Sequence, residues 1–309
     1  VAKVLVIVFN TYREAVRARI LHGLFALAVF SMLYAVVVGE FASKNALRVV
    51  SDVGSFALST YGVVVAIVMG ATTLHRELEL KTVFPILARP IWRGQYLFGK
   101  YLGTILTLLV FMMANAAVLL LAMHFVAGQG IVVPLCVLLG STVIAVLVGR
   151  KWRDQSTLVM LVWAAALLAA GWLLAKEAPD DRRVVLVSSL LALLEVCIIT
   201  AIATLFSAFS SPFLTAVFTF GIFLVGRSAD TLANLPTKFF GEVVAEAFGF
   251  ASKVFPNLMV YVPPRTLLTG EAQGVGLSEY VALAAGQTVL WSAGLLICAG
   301  FIFRKRDFV

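Results

Sequence analysis

The chain has 309 residues, of which 61% are hydrophobic and 13% charged, with a formal net charge of +8 and a mean hydropathy of +1.02. That excludes an ordinary soluble domain of this length and describes a polytopic membrane protein. The positive excess is explained by anionic inner-leaflet lipid without invoking nucleic acid, because most of it collects on one side of the apolar runs.

In chain order, residues 1–19 come first. Val4, Ile7, Val8, Tyr12, Ala15 and Val16 fall on one helical face, with Arg13, Glu14 and Arg17 largely off it. The pattern predicts an interfacial helix on the inner leaflet; the alternative is an amino-terminal extension of the first span. Apolar runs follow near 20–39, 54–74, 101–123, 131–149, 157–175, 184–207, 213–229 and 282–303. A span needs about 20 apolar residues for a ~30 Å hydrocarbon core, so an all-α transmembrane bundle of about eight spans is expected. The first run follows a charged amphipathic stretch rather than a short basic leader and reads as a retained helix.

Placing the amino terminus inside puts 15 Lys and Arg on inner segments and 9 on outer ones, with five acidic residues inside and ten outside. Both termini are therefore expected to be cytoplasmic. The pair within 131–175 reads as two crossings with a basic tip at 151–154, or else as a re-entrant hairpin. The stretch 230–281 is the one long external segment. It carries Phe240, Val244, Phe248 and Ala251 at helical spacing over 237–255, then breaks at Val262, Pro263 and Pro264. The whole chain, 1–309, reads as one transmembrane domain.

Candidate chemistry is sparse. Cys136, Cys197 and Cys298 lie inside apolar runs and read as small buried hydrophobes. His75 opens HRELE, not a zinc-protease HExxH, and Gly99 and Lys100 lack the spacing of a Walker A loop, so neither a metal nor a directly bound nucleotide is expected. Glu195, in LLALLEVCIIT, is the acid placed well inside a span, where charge is costly; it is either a functional polar site or a paired interior group. Asn115 and Gln287 read as interhelical hydrogen-bonding groups.

The densest pattern is HRELELKTVFPILARPIWRGQYLFGK, residues 75–100, with three Arg, two Lys, two Glu and two Pro between apolar runs. Pro85 and Pro90 restrict helix continuation and set the angles at which short helices leave the second span. An ordinary positive-inside loop predicts basic residues but not this pattern.

Through Glu77, Lys81, Thr82, Leu87, Ala88, Arg89, Pro90, Arg93, Gly99, Lys100, Tyr101 and Gly103 the chain resembles permeases of the type-2 ABC exporter family. The amphipathic start, the SAFSSPF turn at 207–213, the ending IFRKRDF at 302–308 and FPNLMVYVPPRTLLTG at 255–270 are also similar. The resemblance implies that 75–100 is a cytoplasmic coupling segment seated in a separate ATPase, with Glu77, Lys81, Thr82, Arg89, Pro90, Arg93 and Lys100 as coupling residues. It implies a permease that is not itself an enzyme, with ATP and Mg held by partner ATPase subunits and a second permease copy or paralogue completing a dimer. Membrane lipids and an accessory extracytoplasmic subunit are further expected partners, in a bacterial inner membrane, with export as the direction. Family members commonly have six spans, so 131–175 would be an added pair. The rivals are an ion-coupled secondary transporter using Glu195, and a membrane-embedded enzyme or scaffold.

Overall fold

A backbone surrounded by hydrocarbon has to satisfy its own N–H and C=O groups, so each apolar run folds as helix and the breaks fall at polar, proline or glycine residues. The computed structural model describes residues 2–79, 92–151, 156–234, 246, 249–250, 254–271 and 276–305. Among them lie α1 (Ala2–Val16), α2 (Arg19–Phe41), α3 (Ala46–Glu79), α4 (Arg93–His124), α5 (Val132–Lys151), α6 (Ser156–Leu174), α7 (Pro179–Ser207), α8 (Pro212–Arg227), the short α9 (Ala229–Ala233) and α10 (Arg265–Thr269), and α11 (Leu277–Lys305). The architecture is an all-α bundle, and 7 helices, α2 to α7 and α11, are long and apolar enough to cross a membrane.

The eighth apolar run differs. Helix α8 has 16 residues, about 24 Å, which is short of a full ~30 Å crossing. Pro212 opens it at a position where the missing N–H costs nothing, and Ser211 caps it by accepting from the Leu214 N–H at 3.5 Å. The turn expected at SAFSSPF is therefore present, but the helix that leaves it stops inside the bundle.

The two ends of the bundle are defined by contacts between helix termini. At one end Tyr96, near the start of α4, stacks on Phe303, near the end of α11, with ring centroids 6.4 Å apart. At the other, His124, closing α4, bonds the Leu174 carbonyl at the end of α6 at 3.0 Å. Helix α1 packs beside the first turns of α4, so the amino-terminal helix and the end of α11 share one end.

Helices α3 and α7 form the centre and pack on each other along most of their length, with α4 and α11 beside them. Buried hydroxyls on α7 cost little because they bond within the helix: Thr200 and Thr204 donate to the carbonyls of Val196 and Thr200, each at 2.7 Å. Asn115, expected to bond between helices, instead donates to Phe111 O of its own helix at 2.8 Å. Gln287 leaves its own helix but meets no other one, donating instead to the O of the non-helical Asn257 at 3.0 Å.

The pair α5 and α6, with 20 and 19 residues, has the length of two crossings at about 30 Å each. Helix α5 is peripheral and presents Leu139, Val143, Ile144 and Leu147 outward. The tip at 152–155 lies outside the described residues. Cys136 and Cys298 are exposed on the bundle surface and Cys197 is half-buried, so the cysteines are not the buried set their apolar context suggested. In a bilayer the outer surface of a bundle is itself apolar, and a cysteine fits there as well as in the interior.

Two expectations for the flanking segments change. The apolar face of α1 does not lie on lipid: Ile7, Val8, Tyr12 and Ala15 are buried, and α1 packs against α4. Gly99 and Gly103 make this possible by letting the two backbones approach, as small residues four apart do between membrane helices. A Cβ on Gly103 would come 2.7 Å from Val8 O and 2.6 Å from Thr11 Cβ, and one on Gly99 2.8 Å from Ile7 Cγ2. The opposite face leaves Leu5, Val6 and Phe9 exposed.

The described part of 230–281 is likewise not simply external. Residues 254–271 turn back into the bundle, where Leu258 and Tyr261 are buried and the Leu258 N–H donates to Gly226 O at 2.9 Å. A Cβ on Gly226 would sit 2.6 Å from Pro256 O, so this close passage needs glycine. The helix expected over 237–255 falls almost wholly outside the described residues.

A bulky side chain at Gly103 has to push α1 off α4. Gly103→Leu is expected to cost about 1–3 kcal/mol by overpacking, whereas Gly94→Leu, with nothing near its Cβ position, is expected to be mild. Thermal unfolding of the purified protein checks this; equal melting of the two variants would mean that α1 is not seated through Gly103.

Candidate functional site

The polar centre of the bundle is built by five elements. Helix α7 carries Glu195 roughly 24 Å along its axis from Pro179 and roughly 18 Å from Ser207. Its carboxylate is 0% exposed. Helix α3 supplies Ser59, whose hydroxyl donates to Glu195 Oε2 at 3.2 Å. Because α8 stops short, its last residue, Arg227, arrives at this depth, and Nη1 meets Glu195 Oε1 at 2.5 Å. Nη2 lies 3.5 Å from Ser59 Oγ, and the guanidinium carbon is 5.9 Å from the Phe223 ring centre.

The returning segment closes one side. The Tyr261 hydroxyl contacts Thr288 Oγ1 at 2.8 Å and donates to Ala284 O at 3.2 Å, both on α11. Thr288 in turn points at Leu194 O, 3.5 Å away, beside Glu195.

A second cluster sits nearer the end of the bundle opposite α1. Arg265, the first residue of α10, forms ion pairs with Asp52 of α3 and Asp181 of α7 and donates to Ser51 Oγ at 3.1 Å. Ser51 donates to Asp181 Oδ1 at 3.1 Å. Arg48 lies 3.9 Å from Asp52 and Arg183 donates to Thr269 O at 3.3 Å. One arginine on the returning segment thus ties it to the two central helices.

The expected coupling residues divide into those the structure describes and those it does not. Glu77 belongs to the last turn of α3 and Arg93 opens α4; Lys81, Thr82, Arg89 and Pro90 lie outside the described residues. Lys100 turns inward: its side chain is 6% exposed, 3.9 Å from Glu14 of α1 and 5.9 Å from the Tyr96 ring centre. The Tyr101 hydroxyl donates to Cys197 O on α7 at 3.3 Å. Gly99, Lys100, Tyr101 and Gly103 therefore join α1, α4 and α7, with Tyr101 reaching α7 two residues beyond Glu195.

Sequence reasoning singled out Glu195 but missed its partners. Arg227 and Arg265 read as flanking charges, and Ser59 as one hydroxyl among many. The available signal was length, since a run ending at Arg227 is too short to cross and leaves its terminal charge inside.

Comparison with known protein families, curated proteins and solved structures gives no match. What the helices establish stands without it. The chain is a multi-pass helical membrane protein.

Its central ion pair has a measurable signature. Removing one partner of a buried pair strands the other charge and costs about 3–5 kcal/mol, whereas removing both costs much less. Arg227→Gln is expected to destabilise by that amount, and Glu195→Gln/Arg227→Gln to recover most of the loss. A double-mutant cycle on unfolding of the reconstituted protein reads the coupling; additive losses would mean that the two side chains do not hold each other.

Proposed function

We propose that the chain is the permease subunit of an ATP-driven transporter of the type-2 ABC exporter kind, moving its substrate outward with the energy of ATP hydrolysed on separate ATPase subunits. The observation that carries this reading is the segment 75–103. Its sequence resembles a coupling segment, and it joins α3 and α4, which run for 34 and 32 residues and are among the helices packed on α7. Its GKYLG end adds α1 to the same rigid group through Gly99, Lys100 and Gly103. A displacement applied between α3 and α4 is thereby passed to the helix that carries Glu195. The end shared by α1 and the close of α11 is the cytoplasmic one in this reading, and the membrane is the bacterial inner membrane.

In this scheme ATP and Mg belong to the partner ATPase, and a second permease copy or paralogue completes the translocation path. Arg89 is the strongest candidate contact, because its guanidinium bonds a carboxylate through two parallel N–H groups as a lysine cannot. Pro90, whose ring restricts φ and removes a backbone donor, is expected to set how the segment turns toward α4.

Arg89→Ala, Pro90→Leu and Glu77→Ala are expected to leave membrane insertion intact and to lower transport-linked ATP hydrolysis of the assembled complex. The effect of losing a charge-assisted contact at Arg89 is about tenfold or more. A change at Gln129, at the other end of α4, serves as control. ATPase activity and subunit co-purification in reconstituted membranes are the readouts. Wild-type behaviour of all three variants would remove the coupling role, and transport driven by an ion gradient without ATP would favour a secondary transporter built on Glu195 instead.

A further inference from the structure

Between the two arginine clusters lies a cavity of about 260 Å³ bounded by α3, α7 and the returning segment. Asp52 and Arg265 stand at its mouth, Ser55, Ser59 and Ser188 along its wall, and Arg227 at its floor. The wall follows one face of α3 from Asp52 to Ser59 and one face of α7 from Val184 to Ala192, a depth of roughly 10–12 Å. The space holds several water molecules or a small solute.

The floor is not chemically spent. Arg227 gives Nη1 to Glu195 and makes only a long contact from Nη2 to Ser59. Nε–H and the second hydrogen of Nη2 have no partner among the described residues, and the side chain is 21% exposed, facing the cavity it lines. Those two donors lie on one edge of the guanidinium and form the fork that receives a carboxylate or phosphate through two parallel bonds. On the same wall the buried Ser55 hydroxyl also lacks a partner. At the cavity Arg227 is paired with Glu195 and Arg265 with Asp52 and Asp181, so the free edge of Arg227 and the unpartnered Ser55 hydroxyl are the donors left for an anion.

We propose that this cavity binds a small molecule carrying a carboxylate or phosphate group, received by the free edge of Arg227 with the serine hydroxyls beside it. Glu195 holds the opposite edge of the same guanidinium and competes for its charge, so neutralising Glu195 strengthens the site. The proposal rests on the cavity alone and not on an ATPase partner, so its failure leaves the coupling test at Arg89 untouched.

The test uses the full chain in phosphatidylcholine nanodiscs, with melting temperature and tryptophan fluorescence followed against three probes. Inorganic phosphate and butyrate are added from solution, and phosphatidic acid is incorporated into the bilayer. A saturable response to a soluble probe assigns a soluble solute, and a response to phosphatidic acid alone assigns a lipid headgroup; either supports the site. Affinity for the responding probe is expected to fall about tenfold or more in Arg227→Lys, which keeps the charge but loses the fork. It is expected to rise in Glu195→Gln and to vanish in Glu195→Gln/Arg227→Gln, which strands no charge. No saturable response of the wild type to any probe, wild-type affinity in the double variant, or weaker binding by Glu195→Gln would overturn the proposal.

Discussion

A buried carboxylate on a central helix and the guanidinium that reaches it set the arrangement of this bundle. Glu195 is wholly buried on α7, and an ionised carboxylate at that depth is stable only when a cation and hydrogen-bond donors reach it. Arg227 can do so because α8 stops after 16 residues. Ending a helix inside the bundle exposes its last carbonyls, and the returning segment answers that need when the Leu258 N–H bonds Gly226 O. The short helix, the re-entering segment and the glycine at their crossing thus follow from one electrostatic requirement. Replacing a buried ion pair by hydrophobic residues of similar volume is often neutral or stabilising, so the pair is consistent with a role beyond stability.

The same logic of close approach governs the other end. Gly99 and Gly103 let α1 lie directly on α4, and Lys100 between them reaches Glu14. Tyr101 points the other way and bonds the backbone of α7 at Cys197. Little more than one turn of α4, from Gly99 to Gly103, therefore carries contacts to both the amino-terminal helix and the central helix. Close-packed interfaces transmit strain, so the start of α4 is mechanically tied to α1 and α7.

Much of the helical frame was legible in the sequence because hydrocarbon leaves the backbone few alternatives, and each apolar run became a helix near its expected place. Glu195 was legible because a charge inside an apolar run is conspicuous. Arg227 was not, since a charge at the end of such a run looks the same whether it flanks the membrane or is drawn inside. The apolar face of α1 was visible, but Ile7, Val8 and Tyr12 would suit lipid or a neighbouring helix equally; only the space over Gly99 and Gly103 distinguishes the two. Arg265 was hidden for a further reason. Its partners, Asp52 and Asp181, lie on separate helices far away in the chain, and their convergence is a property of the fold.

The central claim is that a polar vestibule runs from the end of the bundle opposite α1 to the buried pair. Ser188, on the vestibule wall, offers the most direct measurement, as a Ser188→Cys variant in a background with Cys136, Cys197 and Cys298 replaced by alanine. A membrane-impermeant thiol reagent applied to intact cells and to inverted vesicles should label it from the side opposite the termini and not from theirs. Labelling from the side of the termini, or from neither side while the protein remains folded, would contradict a vestibule that reaches Glu195 and Arg227.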